Sequence, residues 1–246
     1  MKQKMMVLVV LVVALFLVLP KAAEWETDNT DLNSEKMEYI EQIELKDGKE
    51  YADIYRTALL RFEELNKPMD IVFLGDSLTA YGEWQHLSNE LKIVNMGIEG
   101  DTIRGVELRI DQVVKLKPKV VFLLVGINDI SNMGGDFNSD FYTEYQNLID
   151  SLTEALPNTE IYIQSILPIR DDMRNCVGND VIVSINEKIK LIAEAKGLVY
   201  IDVFTALLDI KDNRLKLKYQ IDGLHLNKFG YEEWYKVIKP YVDMLK

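Results

Sequence analysis

Cysteine is all but missing from this 246-residue chain. Cys176 stands alone, so no internal disulfide can form, and no Cys/His group has the spacing of a zinc site. Positive charge is short as well: 28 Lys and Arg face 40 Asp and Glu, a net charge of -12 at pH 7. Phosphate backbones and anionic lipid surfaces are met by clustered cations, so neither a nucleic-acid partner nor general adhesion to membranes is expected. Histidine is scarce, with only His86 and His225. There is no G-x-x-x-x-G-K-[ST] phosphate loop, no H-E-x-x-H and no G-x-S-x-G elbow. Carboxylates are plentiful, but nothing groups them as a metal site or as a catalytic pair, and no metal or cofactor is expected.

Hydrophobic residues make up 48% of the chain and charged ones 28%, which suits an ordinary globular protein with a sizeable core. The N-terminus departs from this average. Lys2 and Lys4 precede fifteen uncharged, almost wholly apolar residues, Met5 to Leu19, followed by Pro20 and Lys21. That pattern reads as an export signal over residues 1–23, either a cleaved signal peptide or a retained signal-anchor. The run is shorter than the ~20 residues of a typical spanning helix. Lys21-Ala22-Ala23 is a poor cleavage site, so both forms stay open: a secreted chain, or one attached to the membrane through residues 5–19. Either way the location is extracytoplasmic. Residues 24–50 are polar and acidic without sustained periodicity and read as a linker or loose cover. The folded domain is expected over 51–246.

Within it, apolar residues recur at helical spacing over Tyr51 to Leu65, and Lys67-Pro68 stops that helix. A strand is expected at Asp70 to Leu74, a helix at Trp84 to Leu91, and a strand at Lys92 to Met96. Asp101 or Thr102 can cap a helix reaching about Lys115. The continuous apolar run Val120 to Val125 fits a central parallel strand covered on both faces. A helix from about Asp140, a strand from Glu160 to Ile166, a polar loop holding Cys176, a helix from about Asp180 and a strand from Leu198 to Val203 follow. A last helix runs from Asn227. This alternation predicts an α/β protein, a parallel sheet between two helix layers.

Strand ends of such a sheet share one edge, where ligands bind. Gly75-Asp76-Ser77, Asn95-Met96-Gly97, Gly126-Ile127-Asn128-Asp129 and Asp222-Gly223-Leu224-His225 should all reach it. Each has a plain reading: Asp76 or Ser77 as a helix cap, Gly97 as a strand-ending glycine, Asn128 and Asp129 as a turn, Asp222 as a turn residue. Together they supply the parts of an acyl-transfer site. Ser77 is a hydroxyl nucleophile, and His225 a base, since imidazole titrates near neutrality. Asp222 lies close enough to bond the other ring nitrogen. The N–H groups of Ser77 and Gly97 and the Asn128 amide can face an oxyanion. His86 reads as a surface residue.

These motifs resemble the GDSL, or SGNH, family of serine hydrolases, on its acetylhydrolase and carbohydrate-esterase side. The signature residues fall on Ser77, Gly97, Asn128 and His225, with Asp222 in Asp-x-x-His, in family order over residues 70 to 230. Thr79 and Asp101 also match residues of acetylhydrolase-like members. The resemblance implies a flavodoxin-like, three-layer α/β/α sandwich with five parallel strands in the order 2-1-3-4-5. It also implies hydrolysis of a short acyl ester, acetyl foremost, on a small molecule or a carbohydrate or cell-wall glycan. Asp76, Tyr81, Trp84, Arg104 and Arg170 are substrate-contact candidates by position. A lysophospholipase or thioesterase of the same fold is the alternative activity. A flavin-binding module with Ser77 to Gly82 around a phosphate is a different class, which leaves Asn128 and His225 unexplained. A catalytically dead glycan-binding relative is a third, although every catalytic position is filled.

Overall fold

Five strands form one parallel sheet in a computed structural model that describes residues 32–132, 139–174 and 177–245. The expected export segment lies outside the described residues, as does Cys176. No helix among the described residues is long and apolar enough to cross a membrane. The strands are β1 (Ile71–Gly75), β2 (Ile93–Gly97), β3 (Val120–Leu124), β4 (Glu160–Gln164) and β5 (Val199–Ile201). Their order is β2-β1-β3-β4-β5, the flavodoxin-like arrangement the family resemblance implied. β1 and β3 are buried at every residue, as expected of central strands covered on both faces.

One face carries an aromatic row set by strand register. Phe73 pairs with Phe122, and Phe122 with Tyr162; Phe73 stacks on Phe122 with ring centroids 4.8 Å apart. Helix α10 (Lys228–Asp243) covers this row. Its Trp234 donates to Gln164 Oε1 at 2.8 Å, and Tyr231 donates to the Leu78 carbonyl at 2.7 Å. Asn227 caps α10 by accepting the Phe229 and Gly230 N–H groups. Since Asn227 follows His225 by two residues, packing of α10 fixes where the His225 loop stands.

The other helices are α2 (Lys49–Glu63), α3 (Ser77–Ala80), α4 (Ile103–Glu107), α5 (Ile110–Lys115), α6 (Ile127–Asn132), α7 (Ser139–Ala155), α8 (Asn179–Ala195) and α9 (Phe204–Leu207), with α1 (Ser34–Asp47) before them. A two-stranded hairpin, β6 (Leu208–Asp209) and β7 (Arg214–Leu215), follows α9.

Three elements differ from the sequence expectations. Part of the polar segment 24–50 is helix α1, whose only buried residues are Lys36 and Ile40. Met37, Tyr39 and Ile43 pack beside Ile40 against the core, and a buried cation adds a polar anchor. The Lys36 ammonium donates to Asp111 Oδ1 and Oδ2 at 2.9 and 2.8 Å, and Asn33 caps the helix. Helix α2 then docks through Leu59 and Phe62, and Tyr55 donates to the Gly105 carbonyl at 2.8 Å. The stretch 84–91 is not a helix; only Trp84–Leu87 forms a 3-10 turn. The single helix expected up to Lys115 is two, α4 and α5, broken at Arg109.

Candidate active site

In the turn after β1 the helix cap falls on Asp76 and not on Ser77. Asp76 accepts the Leu78 N–H at 2.9 Å and caps α3. Ser77 is therefore the first residue of a one-turn helix, where the N–H has no intrahelical acceptor, and none of the described residues accepts it.

Three side chains from two distant parts of the chain then line up. Ser77 Oγ lies 3.0 Å from His225 Nε2, and His225 Nδ1 lies 2.8 Å from Asp222 Oδ2. The second Asp222 oxygen accepts the N–H groups of His225 and Leu224 at 2.8 and 3.1 Å. Burial works to raise the Asp222 carboxyl, but these N–H groups and the imidazole outweigh it and hold the pKa at about 2. An ionised Asp222 only accepts, so it favours the proton on Nδ1 and leaves Nε2 free towards Ser77. Arg174, not singled out from sequence, lies 3.5 Å from Asp222 Oδ2. The Arg170 N–H donates to the Gly223 carbonyl at 2.7 Å and ties this loop to the segment that follows β4. His86 is 68% exposed and pairs with Glu83.

The expected oxyanion donors need one correction. The Gly97 N–H donates to Asn95 Oδ1 at 2.9 Å and is not offered to the site. Gly97 serves close approach instead: a Cβ there would lie 2.2 Å from the Ala80 nitrogen. Three residues later Gly100 adopts φ +73°, and no described residue accepts its N–H. Gly100 and Asn128 line the same cavity. The Asn128 amide donates one hydrogen to the Asp101 carbonyl at 2.8 Å, which leaves its second N–H available. Asn128 sits in the first turn of α6.

Buried charge underlies this edge. Asp76, Asp101 and Asp129 are all buried, and so is Arg109. Burial raises Asp76 to about 8, opposed by the Leu78 N–H. Burial raises Asp129 to about 7 against the Ile103 N–H, and Asp101 to about 6 against Arg109.

Of the five substrate-contact candidates, only Tyr81 stands at the site. It is 44% exposed, and its ring centroid is 5.3 Å from that of His225. Asp76 is fully buried and spent on its cap. Trp84 belongs to the core: it stacks on Phe73 at 4.0 Å and donates to the Thr79 carbonyl at 2.8 Å. Arg104 is exposed on α4 and pairs with Glu107. The Arg170 guanidinium is held by Asp172, Asp212 and the Leu215 carbonyl. Two cavities meet at Glu99. One, of about 860 Å³, lies between Tyr81, Gly97 and the α2 residues Lys49, Asp53 and Arg61. The other, of about 530 Å³, runs from Gly100 and Asn128 to Tyr39, Lys46 and Tyr51.

Residues 73–233 match the model of the GDSL-like lipase/acylhydrolase family. The chain is 25% identical over 187 residues to human platelet-activating factor acetylhydrolase IB subunit alpha2, covering 73% of this chain and 77% of that one. It is 28% identical over 140 residues to a multidomain esterase of Ruminococcus flavefaciens, covering 54% of this chain and 17% of that one. A solved Streptococcus pneumoniae protein described as a platelet activating factor superposes with a TM-score of 0.69. The two share 28% identity over 85% of this chain and 99% of the other. This chain belongs to the GDSL-like lipase/acylhydrolase family and is an ester-hydrolysing enzyme.

Proposed function

We propose that the enzyme removes a short acyl group, acetyl foremost, from a carbohydrate or cell-wall glycan outside the cytoplasm, through an acyl-Ser77 intermediate. The observation that carries the chemistry is the Asp222–His225–Ser77 relay, with contacts of 2.8 and 3.0 Å. Ser77 Oγ adds to the ester carbon while its proton passes to His225 Nε2. The oxyanion receives the Ser77 and Gly100 N–H groups and the free N–H of Asn128, donors fixed before the charge forms. His225 returns the proton to the leaving alcohol as the C–O bond breaks. Water, deprotonated by His225, then adds to the acyl carbon; Ser77 leaves with that proton and the acid is released. Asp222 holds the imidazole tautomer and faces the imidazolium in both steps.

Support for the acceptor comes from the cavities beside the donors. Tyr51, Tyr81, Lys46 and Glu99 are suited to hydroxyl-rich ligands. Support for acetyl comes from the acetylhydrolase among the relatives. The apolar run after Lys2 and Lys4 supports export. A lysophospholipase or thioesterase is the second reading. It draws on Ile221 and Phe229, both more than half exposed on either side of the His225 loop.

Hydrolysis of nitrophenyl esters of graded chain length, beside a panel of acetylated glycans, separates the two. The proposal expects a maximum at two carbons and acetate release from a glycan; a maximum beyond eight carbons selects the second reading. Ser77→Ala is expected to be inactive on every ester, and wild-type turnover in that variant would refute the relay.

A further inference from the structure

Beneath the Ser77 turn lies a guanidinium with no exposure to solvent. Arg109 interrupts what would otherwise be one helix. It sits between α4 and α5 with φ -118° and ψ 16°, and the break directs its side chain inward. Nε and Nη2 both donate to Asp101 Oδ2, at 2.9 and 2.7 Å. Nη2 also donates to the Gly75 carbonyl at 3.0 Å, and Nη1 to the Met96 carbonyl at 2.7 Å. The Phe62 ring lies 5.7 Å from the guanidinium carbon.

The acceptors lie on two pieces of the site edge, the end of β1 and the connection from β2 to α4. Gly75 ends β1, two residues before Ser77. Met96 lies at the end of β2, where the loop to Gly100 begins. Asp101 directly follows Gly100, and its carbonyl takes the Asn128 amide hydrogen at 2.8 Å. A single cation therefore joins the backbone segments that carry the Ser77 and Gly100 donors, and it reaches the third donor, Asn128, through Asp101. None of its acceptors is a reacting atom, and it is fully enclosed, so substrate cannot touch it. Burying an ion pair is a costly way to gain stability alone. What the planar fork supplies is geometry: four hydrogen bonds in fixed directions, which an ammonium cannot reproduce.

We propose that Arg109 is a positioning residue for the oxyanion hole, acting through Asp101 and the two strand-end carbonyls. The inference rests on the serine-esterase reading above and deepens it. Arg109→Lys keeps the charge and removes the fork. Displacing the donors by fractions of an ångström weakens the transition state more than the ground state, so kcat should fall about 10- to 100-fold with KM changed less than about 2-fold. In an Asn128→Ala background the same substitution should cost less, because one of the donors it positions is already gone.

The experiment measures kcat and KM for wild type, Arg109→Lys, Asn128→Ala and the double variant. Urea melts and Ile189→Ala, a core variant on α8, serve as the reference for lost stability alone. A folded Arg109→Lys enzyme with wild-type kcat overturns the proposal. So does a kcat loss that Ile189→Ala reproduces at equal stability, or one that is fully additive with Asn128→Ala. If Arg109→Lys fails to fold, Asp101→Asn, which keeps the side chain's shape, takes its place: the same non-additive loss supports the proposal and full kcat overturns it. Ser77→Ala is assayed alongside. Activity there refutes the esterase reading itself, whereas an inactive Ser77→Ala beside an undiminished Arg109→Lys removes only the role of Arg109.

Discussion

The two halves of the catalytic edge are held in opposite ways. The half proposed to meet the oxyanion stands on a dry base: Asp76, Asp101 and Arg109 are fully buried beneath the exposed Gly100 and half-buried Asn128, and the backbone is pinned by strand pairing and one guanidinium. The half that moves the proton is wet. The Asp222 side chain is 42% exposed and that of His225 22%, and their loop is held by N–H bonds and the Arg174 contact. The division follows the chemistry. Charge stabilisation depends on dipoles that do not reorganise, whereas a proton relay needs an imidazole with access to water for the second step. It also implies that the halves should fail differently when disturbed.

The largest loss should come from the wet half, because its ring has no substitute. His225→Ala is expected to lower kcat by ~10⁴-fold or more, with residual activity from binding and the donors alone; single-turnover release of nitrophenol reads it. Asn128→Ala, in the dry half, should lower kcat by about 10²–10³ with little change in KM. A loss confined to KM would assign Asn128 to binding. Trp84 sharpens the contrast between core and site. Trp84→Ala should cost about 3–5 kcal/mol in denaturant unfolding, while Tyr81→Phe should leave stability within ~0.5 kcal/mol.

Opposite in sign for the two halves is the pH dependence of stability. Asp76 titrates at about 8 in the folded protein against about 3.9 unfolded. The folded state holds a proton that the unfolded chain has lost, so the stability linked to Asp76 is full below about pH 4 and falls as pH climbs to about 8. Asp222, at about 2, behaves the other way: its contribution is present above about pH 4 and is lost as pH falls to about 2. In Tm measured against pH, Asp76→Asn should flatten the alkaline arm and Asp222→Asn the acid arm. The reverse pattern would mean that the buried and exposed assignments are exchanged.

How much of this the sequence discloses depends on the interaction. Strands are legible because burial on both faces demands runs such as Val120 to Val125. The Ser77, Asn128, Asp222 and His225 positions are legible because each lies at a strand end or in a loop that this topology sends to one edge. Gly97 and Gly100 are hard to tell apart, since the distinction lies in which N–H is already taken. The available clue is Asn95, which is spaced to accept from the residue two ahead and does so at 2.9 Å. Arg109 escapes a reading that counts only apolar spacing. Its clue was a cation three residues after Val106, on the face expected to be buried, with Asp101 eight residues before it. Helix α1 is missed because one of its anchors is a buried lysine whose partner, Asp111, is 75 residues away. Trp84 and Arg170 look like pocket residues only when position is weighed without burial.

The hairpin of α1 and α2 changes what counts as the smallest working piece of this enzyme. The family match begins at residue 73, yet Leu59 and Phe62 are fully buried against the body it describes. Gln112 donates to the Leu59 carbonyl at 3.0 Å and Tyr55 to that of Gly105 at 2.8 Å. An expression boundary drawn at the motif would therefore cut through the hydrophobic core. It would strip the ring of Phe62 from Arg109 and open one side of both cavities. The family match and the unit that folds therefore have different first residues, and any recombinant or chimeric version should begin ahead of Asn33.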